Sequence, residues 1–250
     1  MTIPNIPKVE IAPGVSNSRP AVWGALLPAS LCFRTISAPL LLALGCTLGG
    51  NSAQGATILS FSYTGSAVFI PDAADLSGNN PGASAFASLV VSGFGPTEVI
   101  TDVNFKFDGT VTSAAGSTAV GLDHTFVNDL EVSLIAPNST SVLMLDNIDG
   151  SGNNFSQMIL DDAAVTSVSA LVTSQAPFNG TWKPSNPLSA FDGLQPNGTW
   201  QLRAQDFFSG DTGNIRLFTV TITADTAAVP EPSTTLLLLS GIGLLCRRRR

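Results

Sequence analysis

Between residues 85 and 223 the chain repeats one pattern, in which short runs of alternating apolar and polar residues are closed by Gly, Pro, Asn or Asp. Successive side chains of a strand point to opposite faces, so each such run buries one face and wets the other. The clearest case is 99–108, where Val103, Phe105 and Phe107 alternate with Asp102, Asn104, Lys106 and Asp108. Further strands are predicted at 85–92, 130–136, 141–145, 199–204 and 215–223, with turns at Pro137-Asn138, Asn179-Gly180 and Asn197-Gly198. No stretch sustains a helical apolar period. The expectation is an all-β domain of two packed antiparallel sheets. Phe191, Trp182 and Trp200 are most simply core or rim packing within it.

The ends follow a different pattern. Lys8, Arg19 and Arg34 precede an apolar run at 38–48, and small residues follow at 51–57. Basic, apolar, small is the order of a secretory signal, and Ala53 and Gly55 supply the small side chains a signal peptidase needs, so cleavage is expected between Gly55 and Ala56. A transmembrane helix would need nearer twenty apolar residues. Around Cys46 the residues fit a lipoprotein site poorly. At the other end Pro230, Glu231 and Pro232 stand ahead of an apolar run at 236–246 and four arginines, Arg247 to Arg250. The Pro-Glu-Pro segment cannot be helical, the apolar run stalls in a bilayer, and the arginines stay on the cytoplasmic side. From Ser233 that span is about 14 residues, or about 21 Å of helix, against a core of about 30 Å, so snorkelling and local thinning must close the gap.

This tail resembles the PEP-CTERM sorting signal of Gram-negative and cyanobacterial envelope proteins. The resemblance implies processing by an exosortase, transient anchoring in the inner membrane, and display at the cell surface or outside it. It also implies association with extracellular polysaccharide or another envelope protein. The plain alternative is a C-terminal anchor, and the literal triplet favours sorting. The chain thus divides into a signal sequence at 1–55, a central domain at 56–228 and a sorting segment at 229–250.

Charge sharpens the picture of the centre. The whole chain has a formal net charge of -7, but residues 56–228 hold only Lys106, Lys183, Arg203 and Arg216 against sixteen acidic residues, a balance of about -12. A field of that sign repels phosphate backbones and anionic lipid, which argues against nucleic-acid binding and favours cations as small partners. Cys32, Cys46 and Cys246 all fall in the terminal segments, so the centre has no disulfide framework. About 170 residues can bury a sufficient core without one.

Within the centre, an ordered set of local motifs resembles the P domain (P/Homo B domain) that follows the protease domain of kexin- and furin-like convertases. The set runs from residue 67 to 223. It includes Ile70-Pro71-Asp72, Ile100-Thr101-Asp102-Val103-Asn104 and the run His124-Thr125-Phe126-Val127-Asn128-Asp129-Leu130. Ala136-Pro137-Asn138, Asn154-Phe155, Asp161-Asp162, Leu188-Ser189-Ala190-Phe191-Asp192-Gly193, Asn197-Gly198-Thr199-Trp200, Asp206 and Gly210-Asp211-Thr212-Gly213 follow in order. The resemblance implies a jelly-roll β-sandwich. One departure is the Ser-, Ala- and Gly-rich lengthening at 111–123 ahead of His124.

Catalytic signatures are sparse. The chain passes from the signal segment straight to the P-like region, with no convertase domain between them. His124 is the single histidine, and no G-x-S-x-G elbow accompanies it, so it is expected to serve the structure through hydrogen bonds. Zinc would have to rely on carboxylates. Composition alone leaves a glycosidase carboxylate pair open, although no spacing selects one. Asp161, Asp162, Asp192, Asp206 and Asp211 fall in loops or at strand ends, where oxygen donors could close around Ca2+. Solvated turns and Asx caps explain the same residues equally simply, and both readings stand. Asp146-Asn147-Ile148-Asp149-Gly150 misses the EF-hand pattern because Leu145 occupies the first ligand position, so it reads as a turn. The function expected is a non-catalytic exported module that binds or builds surface material. The alternative is an accessory P-type domain that stabilises or modulates a secreted subtilisin-like protease in trans.

Overall fold

The structure, a computed structural model, describes residues 55–148 and 152–226. The three cysteines, Asp149-Gly150 and Pro230-Glu231-Pro232 lie outside the described residues, as does all of the expected signal sequence except Gly55. Gly55 and Ala56 are exposed at the start of the described part. In chain order the strands are β1 (Thr57–Tyr63), β2 (Val68–Ile70), β3 (Ala85–Val91), β4 (Glu98–Phe107), β5 (Leu122–His124), β6 (Leu130–Ile135), β7 (Ser141–Asp146), β8 (Phe155–Leu160), β9 (Phe178–Trp182), β10 (Gly198–Asp206), β11 (Gly213–Ile215) and β12 (Phe218–Thr226). They form two sheets. One runs β1-β12-β4-β8-β5-β11-β2 with β9 added beside β8, and the other runs β3-β10-β6-β7.

Alternation makes the sandwich. On β3, Ala85, Ala87, Leu89 and Val91 are buried while Phe86, Ser88 and Val90 face outward. Trp200, Leu202 and Ala204 on β10 and Phe218, Val220, Ile222 and Ala224 on β12 follow the same rule. Aromatic rings fill the middle. Phe105 meets Phe107 edge-on at 4.8 Å, Phe107 stacks on Phe155 at 5.1 Å, and Phe191 meets Trp200 at 5.0 Å and 67°. Each such pair adds about 0.5–1.5 kcal/mol beyond the area it buries. Trp200 also donates its indole N–H to the Pro196 carbonyl at 2.8 Å, which removes the cost of burying that group. Trp182 sits at the rim and donates to the Asn179 carbonyl.

Strand β4 shows how the pattern dictates a local irregularity. Ile100 and Val103 are both buried although three positions separate them, which a regular strand cannot accommodate. The register against β12 shifts here, pairing Asp102 with Thr223 and Ile100 with Ala224, so Thr101 is the extra residue of a bulge. Its hydroxyl donates to the Thr223 carbonyl at 3.3 Å.

Three expectations are corrected. The predicted strand 215–223 is two strands, because the chain breaks at Arg216-Leu217 between β11 and β12, where both amides donate to the Gly121 carbonyl. Asn179-Gly180 is no turn. It lies inside β9, which pairs in parallel with β8, so the sheet is not wholly antiparallel. The lengthening at 111–123 ends in structure, since Leu122 and Asp123 belong to β5. The loop ahead of them is held by Asn154, which donates to the carbonyls of Thr112 and Ala114 at 2.9 Å each.

One end of the sandwich gathers several chain segments. Asp206 ends β10 opposite Leu130 at the start of β6, and His124 ends β5 opposite Gly213 of β11. A side chain at Gly213 would place its Cβ 1.9 Å from the Asp123 carbonyl oxygen, so only glycine permits this approach.

Candidate functional site

At that end His124 and Asp206 form a buried pair, with Nε2 3.1 Å from Oδ2 and both side chains fully enclosed. The other ring nitrogen, Nδ1, lies 2.9 Å from the Phe126 carbonyl and 3.2 Å from the Phe126 amide. A proton on Nε2 lets the ring donate to Asp206, and Nδ1 is placed to accept from the Phe126 amide. The second Asp206 oxygen accepts from the Phe208 amide at 3.1 Å. Asn154 accepts from the His124 amide at 3.3 Å and links this pair to the loop at 112–114.

Asp129 closes a short 3-10 turn, Val127–Asp129, immediately before β6. It is only 6% exposed. Its backbone is satisfied, the amide donating to Phe126 and the carbonyl accepting from Phe207, yet its carboxylate receives no hydrogen bond among the described residues. Burial, followed by the negative charges of Asp206 and Asp211, pushes this carboxyl up to about 6. His124 opposes the rise and Asp72 adds to it. Asp211 accepts from the Thr125 hydroxyl at 2.6 Å, and Asp72 accepts from the Gly210 amide at 3.1 Å. Above Asp129 opens a cavity of about 310 Å3, walled by Leu76, Phe126 and Phe208 and edged by Asn128, Ser209 and Asp211.

A second acidic group lies elsewhere in the fold. Asp162 accepts from the amides of Leu188 and Ser189 at 2.9 and 2.8 Å, at the start of the 3-10 turn Leu188–Phe191. Asp161 accepts from the Ala163 amide at 2.7 Å. Burial, then the charges of Asp161, Asp192 and Asp162, raises the Asp102 carboxyl, and burial followed by Asp162 raises that of Asp192. Asn104 donates to Asp102 at 2.8 Å, while its own carbonyl oxygen is enclosed without a partner. A cavity of about 290 Å3 adjoins this group, lined by Asp162 and Lys183 among others.

The structure therefore divides the five candidate carboxylates. Asp161, Asp162 and Asp192 belong to one group, and Asp206 and Asp211 to the other. Among the described residues no three His, Cys, Asp or Glu side chains are already arranged to hold a metal ion. Sequence reasoning did not select Asp129 or Asp102. Asp129 carried no signal of its own, since it stands beside Asn128 and two residues from Glu131 in a mixed stretch.

Residues 116–222 match the model of the family described as Proprotein convertase P-domain, and residues 228–250 match the PEP-CTERM protein-sorting motif. The P-domain match thus lies directly ahead of the sorting-motif match in the same chain. The match begins inside the loop before β5, and β4, which precedes it, completes the same sheet through β12 and β8. Both modules are non-catalytic. The motif marks an exported protein, anchored transiently in the inner membrane, processed by an exosortase and then exposed at the surface. Among the described residues no helix is long and apolar enough to cross a membrane. None of the curated proteins matches the chain. The chain is similar to the serine protease of Aeromonas sobria, solved in complex with its chaperone and by itself. Identity is 16% in both, with TM-scores of 0.37 and 0.35 over 70% and 68% of this chain. It spans only 28% and 27% of the length of those protease chains.

Proposed function

We propose that this protein is a non-catalytic binding or structural module of the cell surface, delivered there by its sorting tail and engaging extracellular polysaccharide or an envelope protein. The observation that carries this reading is the state of His124. A Ser-His-Asp triad needs one ring nitrogen held by the acid and the other turned to a nucleophile. Here Nε2 is taken by Asp206, Nδ1 faces only the Phe126 backbone, and the ring is 1% exposed. A fluorophosphonate probe and a panel of peptide and ester substrates test it on the purified full chain. No labelling and no turnover are expected. Labelling of the wild type that disappears in His124→Gln would overturn the reading.

The family match favours a second reading, an accessory P-domain that stabilises a secreted subtilisin-like protease in trans. It predicts a longer half-life of such a protease at elevated temperature when the chain is added.

Calcium is proposed at the Asp161, Asp162 and Asp192 group, together with Asp102. Burial first, then repulsion from neighbouring carboxylates, raises the Asp102 and Asp192 carboxyls, and among the described residues the enclosed Asn104 carbonyl oxygen has no partner. Both features suit a hard cation that takes oxygen ligands. Asp206 and Asp211 belong to the other group and are left out of this proposal.

A further inference from the structure

The cavity above Asp129 combines features that a calcium site does not require. Its lining includes Asp129, a residue nine-tenths buried whose carboxylate receives no hydrogen bond among the described residues, together with the apolar Leu76, Phe126 and Phe208. A buried acid without a partner is costly, and an approaching cation removes that cost. Among the described residues no lysine or arginine pairs with this carboxylate. Lys106 pairs with Asp108 at 3.1 Å, Arg203 with Glu131 at 3.4 Å and Arg216 with Asp123, while Lys183 lines the other cavity. Among the described residues His124 is the one basic group whose charge acts on Asp129, and its Nε2 is held by Asp206.

We propose that this cavity receives one lysine or arginine side chain presented by a partner polypeptide. The apolar walls suit the alkyl stem of such a side chain, and aromatic rings beside a carboxylate suit its charged head. A bare divalent ion would need six or more oxygens, and among the described residues no three His, Cys, Asp or Glu side chains gather to hold one. A volume of about 310 Å3 stands at the lower end of small-ligand pockets and is ample for one long side chain. Three segments build the cavity, and backbone bonds tie them together: the Ser209 amide donates to the Asp75 carbonyl at 3.0 Å, and the Phe207 amide donates to the Asp129 carbonyl at 2.9 Å. The receptor is therefore formed before the ligand arrives. The Asp129 carboxyl, held up near 6 by burial and by Asp206, Asp211 and Asp72 against the pull of His124, must be ionised to pair with the cation, so binding strengthens as pH rises through that value.

This inference deepens the binding-module reading and rests on it, whereas the probe and turnover assays of the previous section succeed or fail independently. The test is an NMR titration of the full chain in detergent with acetyl-Gly-Ser-Lys-Ser-Gly-amide, with the same peptide carrying norleucine for lysine, and with calcium chloride alone. Saturable shifts at Asn128, Asp129 and Ser209 are expected from the lysine peptide and not from the norleucine peptide, with weaker binding at pH 5 than at pH 7.5. Asp129→Asn should weaken binding by about tenfold or more, as expected for loss of a charged partner. Leu76→Ser, at a rim position 73% exposed and safe for folding, should weaken it more modestly. Shifts from calcium but not from the lysine peptide would overturn the proposal in favour of a metal site. An absence of shifts from any probe would overturn it too, as would undiminished affinity in folded Asp129→Asn or in Leu76→Ser.

Discussion

Replacing Asp129 with Asn should make the protein more stable, and only above acidic pH. In the folded chain the Asp129 carboxyl is raised from 3.8 to about 6, so between those values the folded state holds a proton that the unfolded chain has released. Stability is then highest below about pH 4 and falls as pH rises through 6, where the full penalty is reached. At about 1.4 kcal/mol per pH unit the ceiling is about 3 kcal/mol, and water entering the cavity reduces this to about 1–3 kcal/mol. Asparagine keeps the shape, carries no charge, and can donate to the neighbouring carboxylates. For a domain of this size the gain corresponds to a rise in melting temperature of about 3 to 8 °C at pH 7.5. Thermal melting of wild type and Asp129→Asn, followed by circular dichroism from pH 4 to 8 in fixed ionic strength, reads the difference directly. Shifts at Asp102, Asp192 and Asp75 are shared by both proteins and cancel. Equal melting temperatures at pH 7.5, or a larger gain at pH 4 than at pH 7.5, would refute the argument.

Three further outcomes are expected. Trp200→Ala removes the largest fully buried side chain and its contact with Phe191, and should cost about 3–5 kcal/mol, measured by urea unfolding with the slope compared to detect loss of cooperativity. Asn154→Ala removes both donors that hold the 112–114 carbonyls and the acceptor for the His124 amide, and should cost about 2–4 kcal/mol while exposing that loop to protease, read by limited proteolysis and mass spectrometry. Millimolar calcium should raise the melting temperature more than NaCl of matched ionic strength, and Asp162→Asn should abolish the difference. Equal melting in the two salts would refute the calcium site.

The strands that sequence alone revealed are those whose pattern is decided by simple burial of one face. β3, β4, β6, β7 and β10 each alternate cleanly or nearly so, and their predicted limits lie within two residues of the observed ones. β1 also alternates cleanly and was not predicted, whereas the other missed strands fail for local reasons. In β8 the residue Gln157 adopts φ 52° and the pairing with β9 shifts between Phe155 and Met158, which breaks the alternation in Phe-Ser-Gln-Met-Ile-Leu. β9 contains Asn-Gly, a pair that signals a turn when its tertiary setting is unknown. β2, β5 and β11 are three residues each, too short to show any period.

At the site, the structural role of His124 was legible because a lone histidine without a nucleophile motif has little else to do. The division of the acidic residues was not. Asp161 and Asp206 both stand at the ends of strands along the chain, and only the sheet topology sends Asp206 to His124 while Asp162, next to Asp161, meets the Leu188 amide. Asp129 was hidden for the same reason. Its burial comes from Phe126, Phe208 and Leu76, and Phe208 and Leu76 are remote from it in sequence.

The claim that a P-domain is carried to the surface by a removable tail is tested most directly by intact-mass measurement of the protein from inner-membrane, outer-envelope and medium fractions of the producing cell. The account predicts a species outside the inner membrane that begins near Ala56 and lacks Arg247 to Arg250. Recovery of the protein solely in the inner membrane, with all four arginines still attached, would contradict it.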